Sequence, residues 1–384
     1  MKKFAALALC LPLLIGMMAG CSPKAPPSAA PAAADTTAQA ATQAAAPAAS
    51  SDTANAQAAT TVTGDIPSKI APVADKVTGK TLRIGVSMPI RGEAVWEAYL
   101  KGIQDGAAQL GNVQLIIQSA QNDPTAQLQQ IENFVSQHVD GILASYVDNK
   151  AIIEAIQKCN EAKIPYIEFS RELDANIGVD VAYKVSAETT GMIVQMNQWM
   201  VDYSKKVGKK LKIIELMGAL NDQYAIEQRD TLDATVKANP DNLEIVAQVP
   251  GEWDAQKGLS GLQNALQAHP DVDLIYIHSE FYNAAVKSVL TKAGRYVKAG
   301  QPGHIVFMTS GGALDSMQML KDGYADAVGC FAAYDVGVAS TNAMVGLLQG
   351  KKLDGTLYQP PAFLVDASNY ATKAQDAYGM KVGK

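Results

Sequence analysis

Leu82-Arg83-Ile84-Gly85-Val86-Ser87 is a short apolar run. The loop Met88-Pro89-Ile90-Arg91-Gly92 follows it, and then a helical pattern over 93–110 that stops at Gly111. The alternation continues as strand 113–118, helix 124–138, strand 141–145, helix 149–162 and strand 165–169. Apolar runs too short for helices, separated by segments of helical period, specify βαβ units and a parallel sheet buried on both faces. After Tyr183 the pattern restarts. Helices are predicted over 188–203, 222–238, 254–268, 283–293 and 314–322, with strands over 211–217, 243–249, 272–278, 305–309 and 325–330. Two similar α/β halves predict two lobes with a cleft between them.

Upstream of this body the composition changes twice. Lys2 and Lys3 precede an apolar run from Phe4 to Met18, and Met18-Ala19-Gly20-Cys21 closes it. A positive start, a short apolar segment and small residues before a cysteine read as a lipoprotein signal peptide over 1–20, cut before a lipidated Cys21. The run is shorter than the roughly 18 to 20 residues that a membrane-spanning helix needs. From 21 to 80 the chain is rich in Ala, Pro, Thr, Ser and Gln and poor in large apolar residues, which predicts a flexible linker spanning on the order of 40 Å. The folded body is then expected over 81–384.

The chain has 384 residues and a formal net charge of −6, with no stretch that gathers Lys and Arg on one face. Nucleic acid is therefore not expected as a partner. Of the four cysteines, Cys10 leaves with the signal and Cys21 is acylated. Cys159 and Cys330 are expected as buried thiols, with a disulfide between them as the alternative. Scattered histidines without clustered Cys or His spacing predict no metal site, and no cofactor motif is present.

The order of turn signatures carries a family likeness. Ile84-Gly85-Val86-Ser87, Gly102, Leu110-Gly111, Val139-Asp140-Gly141-Ile142-Leu143, Ala162-Lys163-Ile164-Pro165-Tyr166-Ile167, Ile213 to Gly218, Ala268-His269-Pro270-Asp271-Val272-Asp273 and Lys321-Asp322-Gly323 follow one another in sequence. The chain resembles the ribose-binding protein group of type I periplasmic binding proteins, the solute receptors of sugar ABC importers. The resemblance covers about 81–384. It implies an α/β fold of two doubly wound parallel-sheet lobes joined by a three-crossing hinge, with crossings near Lys184 to Ser186, Cys330 to Ala332 and Pro361 to Ala362. The first lobe would then comprise 81–184 and 332–361, and the second 186–331 and 362–384.

In an open α/β sheet the ligand binds beyond the carboxyl ends of the strands, so the loops after each apolar run are the ones that matter. By the resemblance, Glu93 falls on a polar position and Trp96 on an aromatic one. Arg171 keeps the arginine of an Asp-Arg pair, with Ser170 replacing the acid. In the second lobe Glu227 takes a ligand-facing place that the family gives to arginine. Trp253 matches a phenylalanine, Ser279-Glu280 stands for Asn-Asp, Gly311-Gly312 for Asp-Gly, and Phe331 for a hinge glutamine; Phe281 is a further aromatic candidate. A sugar ring presents an apolar C–H face and a rim of hydroxyls, which flat aromatics and charged hydrogen-bonding groups suit. The departures point away from ribose itself and leave a hexose, a deoxy-sugar, a polyol or a cationic modified sugar.

The function implied is that of an extracytoplasmic, lipid-anchored receptor which captures a small polar solute and delivers it to the permease of an ABC transporter. A ligand-sensing lipoprotein working with a sensor kinase or chemoreceptor is the alternative. An enzyme of the glycosidase kind is the weaker one, because no nucleophile elbow, phosphate-binding glycine loop or metal spacing is present.

Overall fold

The computed structural model describes residues 67–173 and 177–383. The expected signal peptide, Cys21 and residues 22–66 of the expected linker lie outside them. The first half runs β1 (Pro67–Ser68), β2 (Val77–Met88), α1 (Ala94–Leu110), β3 (Gly111–Ser119), α2 (Pro124–Ser136), β4 (Gly141–Ala144), α3 (Ile152–Glu161), β5 (Tyr166–Ser170) and β6 (Tyr183–Ser186). The second runs α4 (Thr190–Val207), β7 (Leu211–Met217), α5 (Gln223–Ala238), β8 (Leu243–Pro250), α6 (Ala255–Ala268), β9 (Leu274–Ile277), a 3-10 turn (Glu280–Tyr282), α7 (Asn283–Lys292), β10 (Val306–Gly311), α8 (Leu314–Asp322) and β11 (Ala327–Cys330). The chain then forms α9 (Ala333–Leu348), β12 (Leu357–Tyr358), β13 (Phe363–Asp366), α10 (Tyr370–Lys373) and α11 (Tyr378–Val382).

Two sheets result, ordered β1-β12-β6-β5-β4-β2-β3 and β13-β11-β10-β9-β7-β8. Every pairing is parallel except β11 with β13, an antiparallel edge on the second sheet. Both sheets carry helices on both faces, so central strands are largely apolar: Ile84, Val86 and Met88 of β2 and Ile213, Ile214 and Leu216 of β7 are fully buried, with Ser87 and Glu215 as buried polar exceptions. Each such side chain contributes about 1.5–3 kcal/mol, and cores of this kind hold both lobes without a disulfide. Cys159 and Cys330 are buried free thiols.

Helix starts follow from sequence. Asp123, Asp222 and Asp254 each accept backbone N–H groups of the first turn of α2, α5 and α6, and Pro124 sits at the first position of α2. Aspartate serves there because its carboxylate satisfies N–H groups that lack an intrahelical partner.

The ordered body begins earlier than residue 81. Ser68 of β1 pairs with Tyr358, Val77 pairs with Gly111, and the Ser68 hydroxyl donates to Asp354 at 2.7 Å. Strand addition uses backbone groups, which a polar, linker-like composition does not remove. The first passage between the sheets comes after Ser186, since Lys184 to Ser186 belong to β6; the others lie at 331–332 and 359–362. Residues 378–382, expected with the second lobe, bridge both. Tyr378 packs in the core of the first lobe, whereas Ala374 and Ala377 just before it belong to the core of the second. Lys381 pairs with Asp335 of α9 at 2.6 Å.

Candidate functional site

The loops at the carboxyl ends of both sheets hold most of the residues singled out above. On the first lobe β5 ends in strain. Ser170 has φ +75° and the Arg171 N–H donates to the Phe169 carbonyl at 3.0 Å, closing a three-residue turn around a non-glycine in the left-handed region. Such conformations cost about 1–3 kcal/mol and persist where the surroundings over-determine them. Here the turn aims Arg171. Its guanidinium lies 5.4 Å from the Trp96 ring centroid and 5.5 Å from that of Tyr146, and Nη1 donates to the Tyr146 carbonyl at 3.0 Å.

Trp96 differs from expectation. Its ring is 7% exposed and packs in the first-lobe core, tilted against Tyr99 at 5.5 Å. It backs Arg171 and offers no open stacking face, because the third helical position of α1 turns it inward. Glu93 is exposed at the mouth. Partial desolvation holds its carboxyl above the usual range, against the pull of the Arg171 charge. Arg91 beside it is occupied by Glu97 at 2.7 Å.

On the second lobe Trp253 stands at φ +53° after Glu252, also at φ +53°. Its backbone N–H donates to the Tyr282 hydroxyl at 2.8 Å and its indole N–H to Asp222 at 3.2 Å. The ring crosses Gly218, where a Cβ would overlap it, between the near-parallel rings of Tyr224 at 6.4 Å and Tyr282 at 6.1 Å. It is half-buried. Tyr224 donates to the Ser310 hydroxyl at 2.9 Å, which itself donates to the His278 carbonyl, and it meets Phe331 edge-on. Phe331 in turn tilts against Tyr378 at 6.0 Å, so the second passage between lobes is lined by rings.

Glu280 reaches over Gly311 (φ +128°) and Gly312 (φ +106°), and a side chain on Gly311 would overlap its carboxyl. The longer acid here fills the space that the glycine leaves. Its Oε1 accepts from the Tyr378 hydroxyl, while Oε2 is buried with no hydrogen-bond partner among the described residues. Burial pushes this carboxyl up to about 8, and Asp315 adds to the shift. Tyr99 of the first lobe lies within electrostatic reach of Glu280, Tyr224 and Tyr378, so the two walls converge on this carboxyl.

Two expected site residues serve other roles. Glu227 accepts from the hydroxyls of Thr189 and Thr190 at the start of α4, and the Ser279 hydroxyl caps the 3-10 turn by accepting from the Phe281 N–H at 3.2 Å. Phe281, by contrast, is 43% exposed. The residues that the sequence reading missed are tyrosines: Tyr99, Tyr146, Tyr224 and Tyr378. Tyr99 was open to detection, three positions after Trp96 on the same helix face. Tyr378 was not, since it enters from the last helix. Among the described residues no group of His, Cys, Asp and Glu is arranged to hold a metal ion, and no helix is long and apolar enough to cross a membrane.

A model of the family described as periplasmic binding protein domain matches residues 84–352. The ribose import binding protein RbsB of Bacillus subtilis is 24% identical over 282 residues, 73% of this chain and 86% of that protein. Its namesake from Salmonella typhimurium is 27% identical over 253 residues, 66% of this chain and 80% of the other. Among solved structures, an ABC transporter solute binding protein from Bacillus halodurans with bound myo-inositol is similar with a TM-score of 0.66 and 22% identity, over 77% of this chain and 98% of that one. One from Bradyrhizobium with bound Bis-Tris has a TM-score of 0.69 and 17% identity, over 80% and 89%.

Proposed function

Since this chain belongs to the periplasmic binding protein family, we propose that it captures a small polyhydroxylated solute outside the cytoplasm and delivers it to an ABC importer, without catalysis. The observation that carries this reading is the convergence at the carboxyl ends of both sheets of a strained, ring-backed arginine on one lobe and an aromatic wall with an unpartnered carboxyl oxygen on the other. Rings take the C–H face of a sugar or polyol, while the guanidinium fork and carboxyl take its hydroxyls. Relatives named for ribose, xylitol and D-allose support the solute class, and those named as import binding proteins support the importer. Lobe movement about the three passages would bury the solute.

A thermal-shift screen of pentoses, hexoses and polyols tests this reading. A solute at 100 times its Kd adds roughly 2.7 kcal/mol of stability, which moves the melting midpoint by several degrees. A screen in which no such compound stabilises the protein contradicts it.

We place the anchor at Cys21, whose thiol would receive the lipid. Mass spectrometry of the membrane fraction is expected to find a mature, acylated N-terminus at Cys21, and Cys21→Ala is expected to leave unacylated precursor. A mature N-terminus at any other residue removes the anchor.

A further inference from the structure

Glu280 is a partly buried acid whose carboxyl meets no cation among the described residues. Oε1 accepts from Tyr378 on α11, the backbone N–H groups of Glu280 and Gly312 lie against the carboxyl, and Oε2 is buried with no close hydrogen-bond partner among the described residues. The groups facing it are the Asp315 carboxyl from α8, the Cys330 thiol from β11, the Gly312 backbone, and the phenols of Tyr99 and Tyr224 from the two lobes. None is cationic. The nearby cations are engaged elsewhere: Arg171 with the Tyr146 carbonyl and two rings, Arg91 with Glu97, and Lys381 with Asp335. Asp222, on the same wall, likewise accepts from neutral donors, the indole of Trp253 and the Tyr224 backbone N–H.

An ionised carboxyl without a counter-charge is costly at this depth, so the acid keeps its proton until a ligand brings that charge. A hydroxyl pairs with the protonated acid, whereas a cation favours its ionised form. Aromatic faces beside the acid add attraction for a cation and none for a neutral hydroxyl. We propose that the solute carries a protonated amine on a polyhydroxylated frame, and that Glu280 is the residue that receives it. This rests on the solute-binding reading and narrows it to amino-sugars and amino-polyols. With its carboxyl pushed up to about 8, Glu280 holds a proton near neutrality. An ammonium that stays charged to pH 8, as the primary alkylamine of D-glucamine does, displaces that proton to solvent, so its binding releases a proton and tightens as pH rises from about 6 towards 8.

The test is calorimetric titration of the whole protein with matched pairs: D-glucosamine against D-glucose, D-galactosamine against D-galactose, and D-glucamine against D-sorbitol. In at least one pair the amine is expected to bind at least tenfold more tightly at pH 7.5. For D-glucamine, proton release should appear as a dependence of the heat on buffer ionisation enthalpy. Glu280→Gln, which keeps the shape and a partner for Tyr378, is expected to abolish the preference. Neutral members that bind as tightly as their amines in the wild-type protein overturn the amine assignment and leave the solute-binding reading standing, whatever the folding of the variant. A panel in which no member of any pair binds overturns the amine assignment for these frames, and the wider screen of pentoses, hexoses and polyols then decides the solute-binding reading separately.

Discussion

Gly337→Ala is expected to destabilise the protein by about 3 kcal/mol, at the upper end of the usual overpacking cost, and to lower the thermal midpoint by roughly 5–10 °C. The reason is the crossing of α1 and α9. A Cβ on Gly337 would overlap the Tyr99 carbonyl, and one on Gly102 would overlap the Tyr334 carbonyl. Both obstacles are backbone, so neither can rotate aside. The Thr341 hydroxyl bonds the Ile103 carbonyl at 3.2 Å across the same contact and would be pulled out of register. Gly79→Ala, in a strand with open space around the new methyl group, is the control and should melt as the wild type does or slightly higher. Thermal unfolding followed by circular dichroism decides it, and a Gly337→Ala midpoint within 2 °C of wild type would contradict the close crossing.

The second large effect is on binding. Arg171→Ala removes the guanidinium that the Ser170 turn aims between Trp96 and Tyr146, and Trp253→Ala removes the ring held between Tyr224 and Tyr282. Each is expected to weaken the screened solute by tenfold or more, in line with buried aromatic and arginine anchors at about 2 kcal/mol or above. Glu227→Ala is expected to leave the affinity within threefold, because Glu227 is engaged by Thr189 and Thr190. Equal losses for all three variants would mean that the cleft extends to α4.

The βαβ grammar was legible because each central strand is an apolar run bounded by turn residues, and because Asp123, Asp222 and Asp254 mark helix starts. Helix α9 escaped notice for a physical reason. Ala333, Val336, Gly337, Ala339, Ala343 and Met344 are buried together with the polar Ser340 and Thr341, and the partly exposed stripe carries only Asp335 and Asn342 as polar residues, so apolar and polar positions do not separate by face. The antiparallel edge β13 and the strand at Pro67–Ser68 are held by backbone bonds that carry no compositional signature.

At the site, positions after strands were readable but orientations were not. Trp96 turns into the core and Glu227 towards α4, each according to helical phase and to the neighbours that the fold supplies. Glu280 was placed on the cleft wall. Its partner Tyr378 comes from a helix at the far end of the chain, and nothing local announces that pairing.

Binding of a solute between the lobes against the Trp253 wall is open to measurement by intrinsic fluorescence. The chain has three tryptophans. Trp199 lies on α4, stacked on Tyr203 at 5.0 Å with its indole N–H donating to Asp366, and serves as the control. Titration with the solute found by screening should change the emission of the wild type and of Trp199→Phe alike, while Trp253→Phe loses most of that change. A signal that persists in full when Trp253 and Trp96 are both replaced by Phe, or that disappears with Trp199→Phe, would place the solute elsewhere.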